Sequence, residues 1–380
     1  MGGCFIKEPI DALAAMGASS SVIAVSPIYY PTPHASPAAP AKWVRYPQIP
    51  GTIGLSSAGD FLYASLVRPV TALHRKQPIG VIHAHAALPC GQAAALLARR
   101  LKIPYIVTVH GLDVFNNCSR TGVPAEWRRR ASAGVYQGAS AVVCVSRKVQ
   151  QILYEQMTGV RSVVIYNGTD TGLFSPPLPS LRSISSRTDI GASRELLVVG
   201  NLIPGKGQEL VIRSMHRLAS NFPQLQCQII GEGPDHALLK ALANSLGIRQ
   251  RVHFQGRQNR AAVADAMRRC DLFVLPSRSE GLGCVYLEAM SCAKAVIACR
   301  GQGIDEIITH RENGWLISSD NLDELSQALS TLLASPEHSA RLGDAARQTI
   351  LNGLTLAHQA HNLATLYGQV AVLGAADRAL

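Results

Sequence analysis

The stretch LFVLPSRSEGLGCVYLEAMSC (272–292) decides the fold. It opens on an apolar run, LFVLPS (272–277), of the kind a strand buried on both faces requires. The run breaks at a glycine-containing loop around Glu280, and a helical pattern follows over 284–292. A strand that ends in a glycine loop and feeds a helix is the repeating unit of a parallel sheet with crossover helices. Two carboxylates frame the unit. Glu288 falls eight residues after Glu280, about two helical turns, so it projects from the same side of the following helix. Val285, Leu287, Ala289 and Met290 make that helix a buried one, where an unpaired carboxylate is costly, which argues against a solvated face. Two carboxylates so placed can accept hydrogen bonds from two separated polyols, such as a sugar ring and a ribose.

Outward from this stretch the alternation repeats. Strands are expected at ELLVVG (195–200), QCQIIG (226–231), RVHFQG (251–256) and AVIAC (295–299), with helices at 207–219, 235–246, 260–269, 284–292 and 322–334. The first half carries a second set of strands at SVIAV (21–25), GVIHAH (80–85), YIVTVH (105–110), AVVCVS (141–146) and SVVIY (162–166). Helical patterns stand at 91–101 and 147–157, and a third, FLYASLVRPVTALHRK (61–76), is interrupted by Pro69. Between the halves, SPPLPSLRSISSRTDIGAS (175–193) has the Pro/Ser content and weak periodicity of a linker. The class is therefore α/β: two doubly wound Rossmann-like domains, 1–174 and 194–353, facing a cleft. A length of 380 residues supports two such cores.

Composition closes off other classes. Apolar residues make up 47% and charged residues 16%, which excludes a disordered or collagen-like chain. No uncharged apolar run is long enough to span a bilayer. MGGCFIKEP lacks the basic and apolar regions of a secretory signal, and Ile6 stands where myristoylation wants Ser or Thr. The expected location is the cytoplasm. Nine scattered cysteines, with no C-x-x-C pair, give neither a disulfide framework nor a zinc site.

The charge of +11 is lopsided, with 16 basic against 7 acidic residues in 1–175, and 20 against 18 in 176–380. Trp127-Arg128-Arg129-Arg130, with Arg99, Arg100 and Lys102, concentrates it. Tryptophan beside arginines suits an anionic membrane surface, and a plain solvated face is the other reading. No base-reading motif is visible, so nucleic acid is not the expected partner.

The chemically odd residues gather where strands end: HGLD (110–113), GNLIPGKG (200–207), GEGP (231–234), PSRSEGLG (276–283) and RGQG (300–303). Glycine lets the backbone approach a ligand, and the next helix offers N–H groups to an anion. GNLIPGK imitates a P-loop, but Gly207 stands where a magnesium-binding Ser or Thr is required. GEGPDH lacks the third glycine of a dinucleotide fingerprint. His83, His85 and Cys90 raise zinc, but the two histidines share a strand face without a clear ligand set, as core or cleft histidines do.

E-x7-E after PSRSEG, with HAHAALPCGQAAALLARRLKIPYIVTVHGLDV, VCVSRKV, VIYNGTDTGLF, VVGNLIPGKG, IIGEGP and VYLEAMSCAKAVIACRGQGIDEII, resembles glycosyltransferase family 4, retaining enzymes of the GT-B fold. The HAHAALPCG, GNLIPGKG and RGQGIDEII forms are most similar to the teichuronic-acid-type exopolysaccharide branch. The resemblance implies transfer of a sugar from a nucleoside-diphosphate donor to a lipid-linked glycan acceptor at the inner membrane face, with no obligatory metal or cofactor. Lys206 would meet the diphosphate, Glu280 the donor-sugar hydroxyls together with the backbone at Gly281, Leu282, Gly283 and Cys284, Glu288 the ribose, and Arg257 the base. Gly2 and Gly3 would touch the diphosphate from the first domain, and His110 would line the sugar pocket. The last segment, 354–380, would return to the first domain.

Two departures stand out. Asn201 occupies a position where many members carry an arginine of the diphosphate clamp, and a neutral amide cannot bind in the bidentate guanidinium manner. Gly2-Gly3-Cys4-Phe5 aligns with the loop that normally follows a central first strand, and only Met1 precedes it. The expectation is a missing first strand, from a misassigned start or a truncated gene. Two other functions fit the same fold: a nucleotide-sugar 2-epimerase, and a non-catalytic nucleotide-sugar-binding protein.

Overall fold

The computed structural model describes residues 4–29, 41–49, 54–111, 114, 123–177 and 194–376. Gly2 and Gly3 lie outside these residues, as does most of the expected linker. The chain divides into two units, one of Met1–Glu8 with Asn167–His358, the other of Pro9–Tyr166 with Gln359–Leu380. The division after Tyr166 falls ahead of the Pro/Ser-rich stretch because the residues after it pack on the C-terminal unit. Thr169 bridges Thr355, Arg268 donates to the Leu173 carbonyl, and Ser291 donates to that of Phe174 at 2.5 Å.

The C-terminal unit is a six-stranded parallel sheet. Its strands are β7 (Arg194–Val199), β8 (Leu225–Ile230), β9 (Val252–Gly256), β10 (Leu272–Val274), β11 (Ala295–Cys299) and β12 (Trp315–Ile317), ordered β12-β11-β10-β7-β8-β9. Crossover helices α6 (Gln208–Arg217), α7 (His236–Ser245), α8 (Arg260–Arg269), α9 (Cys284–Ser291) and α10 (Leu322–Ala334) follow the strands, and α11 (Pro336–Leu351) closes the unit. Side-chain caps start two of the crossover helices. The Asn259 side chain accepts from the Ala262 N–H and that of Asn321 from the Glu324 N–H, satisfying donors that a helix leaves open. Chain order reverses between β7 and β10, which makes their carboxyl ends the switch point of the sheet.

In the N-terminal unit the described strands form two sheets, both parallel. β1 (Val22–Pro27) pairs β2 (Ala41–Tyr46), and β3 (Ile82–His85), β4 (Tyr105–Val109), β5 (Ala141–Cys144) and β6 (Ser162–Val164) run in that order. Among the described residues, β1 and β3 each have a strand partner on one side only. Helices α1 (Cys4–Ala15), α2 (Leu55–Lys76), α3 (Gln92–Leu101), α4 (Val123–Gly138), α5 (Arg147–Gln156) and α12 (Leu356–Ala376) complete the described elements.

Pro69 does not interrupt α2. Ala58, Leu62, Leu66 and Val70 form a buried stripe with fourfold spacing that runs through the proline, and this burial outweighs one lost backbone bond. The same apolar cluster takes in Ile23 and Val25 of β1, Val44 of β2 and Ile82 of β3. A second cluster joins Ile106, Ala141 and Val143 to Ala360, Leu363, Leu366 and Val370 of α12. The basic segment on α4 also differs from expectation. Arg128 is buried, and Arg129 and Arg130 both pair with Glu126, which leaves Trp127 exposed. The helical phase turns every third or fourth residue inward, so three consecutive arginines cannot share one face. No described helix is long and apolar enough to cross a membrane.

Candidate functional site

The expected donor residues converge on the switch point. The loop after β7 carries Lys206 between two glycines with positive φ, Gly205 at 88° and Gly207 at 79°. The segment after β10 is stitched onto this loop: the Arg278 N–H donates to the Gly205 carbonyl at 2.7 Å and the Ser277 hydroxyl donates to it at 3.3 Å. A Cβ on residue 207 would stand 2.3 Å from the Pro276 carbonyl, so a P-loop Ser or Thr has no room there. This packing delivers Lys206 Nζ to Glu280 Oε1 as an ion pair whose side chains are 18% and 12% exposed.

The Glu280 loop is pinned from a third side. The Glu280 N–H donates to Gln302 Oε1 at 3.1 Å, and the Gly303 N–H donates to the Glu280 carbonyl at 3.3 Å. A Cβ on Gly303 would come within 1.8 Å of the Gly281 carbonyl. Gly281 and Leu282 lie on this loop, Gly283 takes φ 82° at the start of α9, and the thiol of Cys284 accepts from Asn167 Nδ2 at 3.2 Å.

Glu288 sits just over one turn into α9, not two helical turns from Glu280, because residues 280–283 are loop, and it is buried. Arg260 Nη1 reaches its Oε1 at 2.6 Å. The same guanidinium contacts Glu8 at 2.7 Å and lies 4.8 Å over the Phe174 ring. Burial pushes the Glu288 carboxyl up to about 7, against the pull of Arg260 and with a further push from Glu8. Glu280 and Glu288 therefore have different cationic partners, and neither carboxylate stands alone.

Arg260 and Glu8 escape the sequence reading. Arg257, the arginine singled out from FQGR, stays on the surface, 60% exposed and 3.3 Å from Glu232. Arg260 stands three residues on, just inside α8 after its Asn259 cap, and nothing in the local pattern says which arginine turns inward. Asn201 is exposed, and its carbonyl accepts from Gln208 Nε2 at 3.0 Å.

His110 belongs to the N-terminal unit, immediately after β4. Its Nε2 lies 2.9 Å from Nδ1 of His85. Among the described residues no group of three or more His, Cys, Asp or Glu is arranged to hold a metal ion.

Two family descriptions match the chain. Glycosyltransferase Family 4 covers residues 5–173, and Glycosyl transferases group 1 covers 185–349. An uncharacterized glycosyltransferase of Methanocaldococcus jannaschii is 31% identical over 268 residues, which is 70% of this chain and 69% of the relative. A GDP-mannose-dependent alpha-(1-6)-phosphatidylinositol monomannoside mannosyltransferase of Mycolicibacterium smegmatis is 30% identical over 192 residues, 49% of this chain and half of that protein. Among solved structures, sucrose-phosphate synthase from Thermosynechococcus elongatus superposes with a TM-score of 0.78 at 21% identity, covering 97% of this chain and 93% of the synthase, a likeness of GT-B fold.

Proposed function

The chain belongs to the glycosyltransferases of family 4 type, and from that premise we propose that it moves a sugar from a nucleoside-diphosphate donor to a lipid-linked glycan acceptor, with retention at the anomeric carbon. The Lys206–Glu280 pair carries this reading: it is a largely buried charge pair at the carboxyl ends of β7 and β10, where ligands of doubly wound sheets bind. A diphosphate separates such a pair productively. Lys206 turns to the phosphate oxygens as negative charge builds on the leaving group, and Glu280 is released to accept from sugar hydroxyls. Backbone N–H groups over Gly281 to Cys284 add donors, Glu288 takes the ribose while Arg260 holds its other oxygen, and Arg257 flanks the base. Gly2 and Gly3 approach the diphosphate, Asn201 is a neutral donor there, and His110 serves the sugar. In this proposal the leaving phosphate takes the acceptor's proton by front-face attack, and no obligatory metal is invoked.

The relative's phosphatidylinositol mannoside acceptor and the motifs shared with exopolysaccharide enzymes support a lipid-linked acceptor in surface-polysaccharide assembly at the inner membrane face. The test uses UDP-, GDP- and ADP-sugars with the full chain. One nucleotide class should raise the melting temperature, and free nucleoside diphosphate should appear only when a glycan acceptor is added. Turnover to an altered nucleotide sugar without acceptor would identify a 2-epimerase. Stabilisation without any turnover would identify a binding protein.

A further inference from the structure

Two half-buried histidines of the N-terminal unit have no part in the donor chemistry above. His83 and His85 lie on one face of β3, as residues two apart in a strand must. Both nitrogens of His83 are engaged: Nδ1 lies 2.6 Å from the Tyr367 hydroxyl of α12, and Nε2 lies 2.6 Å from the Thr108 hydroxyl of β4. The clamped ring stacks on His85, with centroids 4.7 Å apart and planes 25° apart. His85 in turn lies nearly parallel to His110, its Nδ1 facing His110 Nε2 at 2.9 Å. Tetrahedral zinc would keep two nitrogens roughly 3.3 Å apart, so this spacing is that of a hydrogen bond.

We propose that His85 is the positioning residue of His110: the hydrogen bond between their rings holds His110 as one neutral tautomer, and the Thr108–His83–Tyr367 clamp keeps the His85 ring in place by stacking. Proton counting gives the reason. A neutral imidazole has one N–H and one bare nitrogen, and a ring-to-ring bond needs one of each. If His85 carries its proton on Nδ1, His110 must carry its own on Nδ1. If His110 donates from Nε2, His85 must carry its proton on Nε2. In either case the tautomer of His85 dictates that of His110: the nitrogen that His110 turns away from His85 is a donor in the first arrangement and an acceptor in the second. A third proton keeps the ring-to-ring bond, as imidazolium to imidazole, at the cost of a charge in a half-buried cluster, and only a fourth would remove the acceptor. Burial already holds the His85 imidazole down at about 4 and that of His110 at about 3, with His85 a further cause for His110.

The positioning claim is independent of what His110 does. Its catalytic consequence rests on the reading that His110 serves the donor sugar. The experiment is a long-range proton–nitrogen correlation spectrum of the full chain labelled with 15N-histidine, assigned by single substitutions. His110 should show one neutral tautomer throughout pH 5.5–7.5. In His85→Asn, whose amide falls near the position of Nδ1, that tautomer should persist. In His85→Gln, whose amide falls near Nε2 instead, His110 should show averaged tautomers. The two variants are both polar and of similar size, so a melting temperature shared by them separates positioning from general damage. With donor and acceptor, kcat should drop about tenfold or more in His85→Gln and within about threefold in His85→Asn, while the donor KM stays within about twofold in both. An unchanged His110 tautomer in His85→Gln would overturn the proposal. A changed tautomer with unchanged kcat would uphold the positioning and overturn the role given to His110.

Discussion

In the C-terminal unit six parallel strands run without a break, whereas in the N-terminal unit the described strands fall into a pair and a quartet. The two halves consequently hold the loops after their strands by different means. In the C-terminal unit, β7 and β10 are hydrogen-bonded neighbours, and glycines bring their following loops within backbone contact of each other. Lys206 and Glu280 are placed by main chain. In the N-terminal unit, β1 and β3 share no described ladder, and what joins their sheets is side-chain burial against α2 and α3. His110 is placed by β4 and by a chain of ring contacts. Backbone ladders set position through many bonds at once, while side-chain packing sets it through volume. A lost methyl group should therefore be felt differently in the two units.

The largest effect we expect is from Leu62→Ala. Leu62 is 1% exposed, in the cluster that touches both N-terminal sheets. A buried leucine cut back to alanine costs about 2–5 kcal/mol. Hydrogen exchange should rise in β1, β2 and β3 together, with the six-stranded sheet unchanged. Faster exchange in β1 and β2 alone would break the comparison, because it would show that the cluster does not join the two sheets.

Lys206→Ala comes next and probes the main-chain-placed site. It removes a charge-assisted contact of about 1.5–3 kcal/mol. At about 1.4 kcal/mol per decade, kcat/KM should drop roughly ten- to a hundredfold, and the Glu280 carboxylate left without its cation should lower stability as well. Glu280→Ala should reduce transfer more than nucleotide affinity, and equal losses in both would argue against the sugar-hydroxyl role.

The same contrast explains what could be read before the structure. β10 and β11 are buried along their whole length and two crossover helices start on asparagine caps, so continuous apolar runs mark this unit closely, although β9 at the sheet edge alternates with exposed His253 and Gln255. β12 has three residues, too few for any period to register, and β2 carries Lys42 and Arg45 on a strand with one partner, which disguises it as loop. E-x7-E located both carboxylates because spacing along a loop and helix is a local property. Their partners are not local: Arg260 stands 28 residues before Glu288, and Lys206 stands 74 before Glu280. The histidine cluster was legible as a shared strand face but not as a relay, since Tyr367 lies 284 residues away in sequence.

The pH dependence separates the two units by sign rather than by size. Burial holds His83, His85 and His110 below the ordinary histidine value of 6.5. In the unfolded chain these rings take up protons near 6.5, while in the folded unit His85 resists until about 4, His110 until about 3, and His83 is held well below the ordinary value. The unfolded state therefore binds more protons over that window, and the N-terminal unit loses stability as pH falls through it. Glu288 is shifted the other way, from 4.5 to about 7, with burial the leading cause. Between those values the folded carboxyl keeps a proton that the unfolded one has released, so the C-terminal unit loses stability as pH rises. From pH 6.5 down to 5.0, exchange corrected for its intrinsic rate should quicken in β4 and β5 and slow in β8 and β10. Replacing Glu288 by Gln should abolish the second slope and leave the first untouched. Parallel slopes in both units would mean that other titrating groups outweigh these four, and the pairing of half-buried histidines against a buried carboxyl would no longer distinguish the halves.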